Sequence, residues 1–110
     1  MNDRLLSFLG ICRRARRLTI GAEAAVESMN RGKSELIIYA RDFSRSSLKP
    51  VLEAAHRHSV KTLELNRGKD ELSVALGKLC GVMSVEDKGF ADKLCELIFD
   101  EQGGELYDKI

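Results

Sequence analysis

The sequence predicts an α/β domain with helices on both sides of a small sheet. Three observations carry this. Segments with helical apolar spacing alternate with short β-branched runs. The longest apolar run, Leu36-Ile37-Ile38-Tyr39-Ala40, reads as a strand buried on both faces, which requires cover above and below. Pro50 is the only proline, and no Gly/Ser-rich stretch divides the chain. The 110 residues therefore make one domain, 1–100, followed by an acidic tail, 101–110. The chain is 44% hydrophobic, only 5% aromatic and free of Trp, so the core is expected to be aliphatic.

The elements follow in order. Residues 3–15 place Leu5, Phe8, Leu9 and Cys12 on one helical face. Leu18-Thr19-Ile20 is a minimal strand. Residues 22–31 are good helix formers with Ala22, Ala25, Val26 and Met29 on one stripe, and Gly32 is a natural stop. Strand 35–40 comes next. Ser44, Ser46 and Ser47 offer N-caps for a helix to about His58, with Leu48, Val51, Leu52 and Ala55 inward. Pro50 is acceptable there only because it falls in the first turn. Residues 60–65 alternate as a strand. Lys69 to Leu76 is a short helix ended by Gly77, Val82–Val85 a last strand, and Asp87 caps a final helix burying Phe90, Leu94, Leu97 and Ile98.

The net charge of +1 hides an asymmetry. Residues 1–33 carry seven Lys/Arg against three Asp/Glu, and residues 34–85 carry eight against six. Residues 86–110 carry three against eight. A basic body that steers anions is thus joined to an acidic end. Four arginines, Arg13, Arg14, Arg16 and Arg17, stand in five residues just before Gly21. Gly21 opens a helix, and a basic cluster at a helix N-terminus suits phosphate. As single residues, each of these is also an ordinary solvated cation.

Catalytic signals are missing. There is no P-loop, no Gly-x-Gly-x-x-Gly, no nucleophile elbow and no zinc spacing among Cys12, Cys80 and Cys95. Asp42 is a lone acid after a strand. His56 and His58, two apart on a helix, do not share a face for a metal. The odd, scattered cysteines fit reduced thiols, and Met1-Asn2-Asp3-Arg4 runs into an amphipathic pattern without a signal-peptide h-region. The expectation is a cytoplasmic monomer without enzyme activity, metal, cofactor or membrane partner.

Four segments together carry a resemblance. They are Leu9 to Gly21, Arg31 to Asp42, Lys69-Asp70-Glu71-Leu72 with Ala75-Leu76-Gly77-Lys78, and Val85 to Ala91. In that order and spacing, over roughly residues 5–95, they resemble the YlxQ-like bacterial proteins of the L-seven-Ae superfamily of ribosomal proteins, with its L-thirty-e and S-twelve-e types. The resemblance implies a three-layer α-β-α sandwich with a small mixed four-stranded sheet. It implies binding to kink-turns, internal RNA loops with tandem sheared G·A pairs, in the setting of the ribosome or translation factors.

It also implies where RNA is met: the N-terminus of the second helix, Gly21 to Glu27, and the loop before the last strand, Lys78 to Val82. Kink-turn binders carry Gly-x-Asn-Glu-x-x-Lys at that helix. Here the pattern falls on Gly21, Glu23, Ala24 and Glu27, and only Gly21 matches. Glu23 could still read a guanine N1/N2 edge, whereas Glu27 is repulsive to phosphate. The four arginines would neutralise flanking phosphates, with Arg31, Lys33, Arg41 and Lys78 extending the patch. Leu79, Cys80 and Gly81 either pack on a splayed base or form a plain turn before a buried strand. The alternative reading is a protein-interaction module on the same fold that has lost kink-turn specificity.

Overall fold

A computed structural model describes residues 3–102. The elements are α1 (Arg4–Arg14), β1 (Leu18–Ile20), α2 (Ala22–Asn30), β2 (Leu36–Ala40), α3 (Arg45–His58), β3 (Thr62–Leu65), α4 (Lys69–Leu76), β4 (Val82–Val85) and α5 (Lys88–Glu101). The sheet order is β1-β4-β2-β3. β4 runs antiparallel to both β1 and β2, while β2 and β3 are parallel, so the sheet is mixed as the resemblance implies.

The pleat sends alternate residues to opposite faces. Leu36, Ile38 and Ala40 join Met83, Val85 and Leu65 in a core with α1, α4 and α5. Ile37 and Val82 join Ala25 and Met29 of α2 and Leu48, Val51, Ala54 and Ala55 of α3 on the other side. This is the three-layer sandwich, and it explains why β2 is apolar throughout. Burial pushes the Cys12 and Cys80 thiols up to about 11, the behaviour of small hydrophobes.

Helix ends are closed by specific groups. Asp3 Oδ1 accepts from the Leu6 amide at 3.1 Å and Asp87 Oδ1 from Phe90 at 2.8 Å. α4 begins after Gly68, which has no side chain to offer. Its cap is instead Asp42, whose Oδ1 accepts from the Lys69 amide at 2.9 Å. Glu71 reaches back to the Gly68 amide at 2.8 Å, which holds its carboxyl below the ordinary range.

Two expectations for α3 are corrected. Leu52 is 36% exposed, and Ala54 takes the inward position. Pro50 lies beyond the first turn, since Ser44 is the N-cap. Its missing N–H leaves the Ser46 carbonyl without its i+4 donor, tolerated because both residues face solvent. α5 continues through Glu101, and residues 103–110 of the expected tail lie outside the described residues.

A polar seam runs through the α2 side. Ser28 Oγ donates to Glu86 at 2.6 Å and lies 2.8 Å from Ser84 Oγ, which is 2.7 Å from Ser34 Oγ. In the last of these contacts Ser84 Oγ donates to Ser34 Oγ.

Candidate nucleic-acid interface

The start of α2 and the loop between α4 and β4 meet. Gly21 sits at φ 115°, open to glycine alone, and nothing lies within 4 Å of where its Cβ would be. Glycine is therefore required by the backbone conformation and not by crowding. Its amide donates to the Val82 carbonyl at 2.9 Å. The Ala40 amide donates to the Gly81 carbonyl at 2.8 Å. The ends of β1 and β2 thus clasp the loop's last residues beside the free first-turn amides of α2.

Within the loop, Gly77 ends α4 at φ 69°. The Cys80 amide donates to Ser73 Oγ at 3.1 Å, folding the loop back on α4. Lys78 is exposed and Leu79 is 84% exposed, so both are available to a partner. Cys80 is not: its side chain is 1% exposed and belongs to the core, which leaves only its backbone in the loop. Gly81 has a packing reason, because a Cβ there would overlap the Phe43 ring.

The arginines divide. The Arg13 guanidinium lies 3.9 Å from the Cβ position of Gly77, and Arg13 and Lys78 both bias the Cys80 thiol towards ionisation. Arg13 therefore belongs with the loop. Arg14 folds along its own helix over Gly10, bordering the α1–α4 groove with Glu71 and Ala75. Arg16 and Arg17 form the turn into β1. The Arg17 amide donates to Cys12 and the Arg16 amide to Arg13, the two bonds of a Schellman ending. Among the described residues, none of these four arginines pairs with a carboxylate; neither do Lys33 and Lys78.

Arg31 and Arg41 are already engaged. Arg31 pairs with Glu27 at 3.1 Å, and Arg41 with Glu71 at 3.3 Å. The patch is also not continuous. The Glu86 amide donates to the Arg17 carbonyl, and Glu35 to Val85, so Arg17 and the Lys33–Glu35 turn flank one end of β4. Gly21, Arg41 and Gly81 flank its other end. Val82 to Glu86 separates them by about 13 Å at the rise of a strand.

Glu23 is exposed in the first turn of α2, and no partner is seen for it among the described residues. A groove of about 480 Å³ runs between α2 and α3 beside it, with Ala22, Val26, Pro50 and Val51 as apolar lining and Glu27 at its edge.

One residue behind the interface escaped the sequence reading. Arg67 holds Asp3 through two bonds, Nε at 2.8 Å and Nη2 at 2.9 Å, and Glu101 through Nη1 at 3.1 Å. It ties α1, the β3–α4 turn and α5 together. The guanidinium holds the Asp3 carboxyl below its ordinary range, and the two carboxylates raise Arg67 further. A partner 64 positions away leaves no local signal.

A sandwich of this topology, with a helix start and a glycine-bounded loop clasped at one sheet end, defines a family. The chain belongs to the ribosomal protein L7Ae/L30e/S12e/Gadd45 family, whose model matches residues 3–95. It is 28% identical over 96 residues to the RNA-binding protein YlxQ of Enterococcus faecium, covering 87% of this chain and 92% of that one. It is 34% identical over 83 residues to the large ribosomal subunit protein eL30 of Candida glabrata, covering 74% and 79%. A solved structure, a protein with unknown function from Bacillus halodurans C, superposes with a TM-score of 0.81 at 31% identity, over 88% of this chain and 98% of that one.

Proposed function

We propose that the protein binds structured, kinked RNA without catalysing a reaction, acting in the cytoplasm in association with the ribosome or translation. One observation carries this. The Gly21–Val82 hydrogen bond joins the two segments that the family resemblance implies for RNA contact, and Arg13 and Lys78, without an ion pair among the described residues, stand beside them. The YlxQ relative is named as RNA-binding, which supports the same reading. The mechanism is positional. First-turn amides of α2 donate to a phosphate or base acceptor, flanking cations neutralise the backbone, and exposed Leu79 offers an apolar contact.

The six cations without an ion pair among the described residues, Arg13, Arg14, Arg16, Arg17, Lys33 and Lys78, set the salt dependence. If all six meet phosphates, affinity falls on the order of a thousandfold between about 50 and 200 mM salt. The test is a titration against a kink-turn RNA and the same RNA with its G·A pairs disrupted, at both salts. The proposal predicts tighter binding to the intact motif. Equal binding to both RNAs would remove the kink-turn part; no binding at low salt would remove the whole. In that last case the alternative gains ground, namely a protein-interaction module using Glu23, Ala24, Glu27 and the α2–α3 groove.

A further inference from the structure

The cations at the far end of β4 stand apart from the helix-start interface, and the backbone there is held against its own preference. Arg16 has φ 61°, a left-handed conformation that a side chain disfavours. The same Schellman ending closes α2, where Gly32 occupies the equivalent position at φ 72°. One turn of this protein therefore uses glycine where the other retains arginine. The Arg16 side chain is exposed and makes no ion pair among the described residues.

Its neighbours share that condition. Arg17 is exposed, with its carbonyl fixed by the Glu86 amide at 2.8 Å. Lys33 follows Gly32 on the other side of β4, held by its amide bond to the Ser28 carbonyl at 3.0 Å. The nearby acids are mostly committed: Glu86 accepts from Ser28, Glu27 pairs with Arg31 and Asp87 caps α5. Glu86 and Asp87 keep their charge in these bonds, and Glu35 is exposed without a partner among the described residues, so Arg16, Arg17 and Lys33 stand free of ion pairs although acids lie close by.

We infer that Arg16, Arg17 and Lys33 form a second RNA-phosphate surface, about 13 Å along the sheet from Gly21. The RNA then runs lengthwise past edge strand β1 and touches both ends. A protein that grips backbone at two fixed stations selects RNA by shape, through the distance and angle between its phosphate tracks. This rests on the RNA-binding reading above and adds to it a contact outside the α2 start and the α4–β4 loop.

The probe is the intact kink-turn RNA, titrated across salt concentrations. The variants are Arg16→Gly with Lys33→Ser, and Ser59→Gly as a control. Ser59 is the other non-glycine residue with positive φ among those described, at φ 56° after α3. Each phosphate contact contributes about 0.9 to the slope of log affinity against log salt, or about fivefold at 0.15 M relative to 1 M. The double variant should lose about 1.8 in slope and roughly thirtyfold in affinity at 0.15 M. It should melt no lower than the wild type, because glycine relieves position 16. The control should bind as the wild type does. Wild-type binding with an unchanged slope in the double variant overturns the second surface alone, and so does an affinity loss without a slope change. A matching loss in the control overturns it too. No binding by the wild type overturns both this inference and the RNA reading.

Discussion

Replacing Arg67 with Met tests whether the fold behind the interface is held by one guanidinium. The side chain is 12% exposed, and its partners Asp3 and Glu101 are 25% and 30% exposed, so solvent screens the pairs only in part. Met keeps the aliphatic volume and removes two bonds to Asp3, the pairing with Glu101 and a 2.8 Å bond to the Asn66 carbonyl. Breaking a buried pair costs about 3–5 kcal/mol, and exposed pairs contribute about 0–1. Partial exposure of all three groups puts the expected loss at about 2–3 kcal/mol. For a domain of this size that lowers the melting temperature by roughly 10–15 °C.

The pH dependence gives an independent check. The folded Asp3 carboxyl is held below its ordinary value, first by Arg67. Its contribution is therefore complete above the unfolded value, about 3.9, and is lost as pH falls through the folded one. Chemical denaturation of wild type and variant at pH 7 and at pH 3 reads both quantities. The gap should be about 2–3 kcal/mol at pH 7 and visibly smaller at pH 3. A gap under about 0.5 kcal/mol at pH 7, or one that does not change with pH, refutes the reasoning.

Two further substitutions probe the frame of the site. Gly81→Ala drives a Cβ into the Phe43 ring and should cost about 1–3 kcal/mol in denaturant melts; a neutral result would mean that Phe43 swings away freely. Pro50→Ala restores the amide that the Ser46 carbonyl lacks. It should raise stability by about 2 kcal/mol, the interior-proline cost of ~3 less ~1 for the freer unfolded chain, and an equal or lower unfolding midpoint would contradict that account.

Much of the fold is legible in the sequence because periodicity and end signals are local. The apolar run of β2, the helix stops at Gly32 and Gly77 and the Asp87 cap all fall where the pattern places them. Leu52 and Pro50 are misplaced because apolar spacing does not say which of two adjacent stripes meets the sheet, nor where the first turn begins. The pairings that fix the site are long-range and leave no mark in spacing. Asp42 reads as a lone acid until α4 arrives 27 residues later needing a cap. Gly81 reads as a loop glycine until Phe43 covers it. The cations read as one patch because the chain brings them close in sequence. The sheet then sends Gly21 and Arg17 to opposite ends of β4, while Arg31 and Arg41 find carboxylates that spacing alone does not reveal.

The central claim, that RNA is met at the clasped end of the sheet, is tested most directly by backbone amide NMR shifts during titration with the kink-turn RNA. The account predicts the largest changes at Gly21 to Ala24 and Gly77 to Gly81, with smaller ones at Arg16, Arg17 and Lys33 and none along α5. Changes concentrated in the α2–α3 groove or on α5, with the Gly21 and Gly81 amides unmoved, would contradict it.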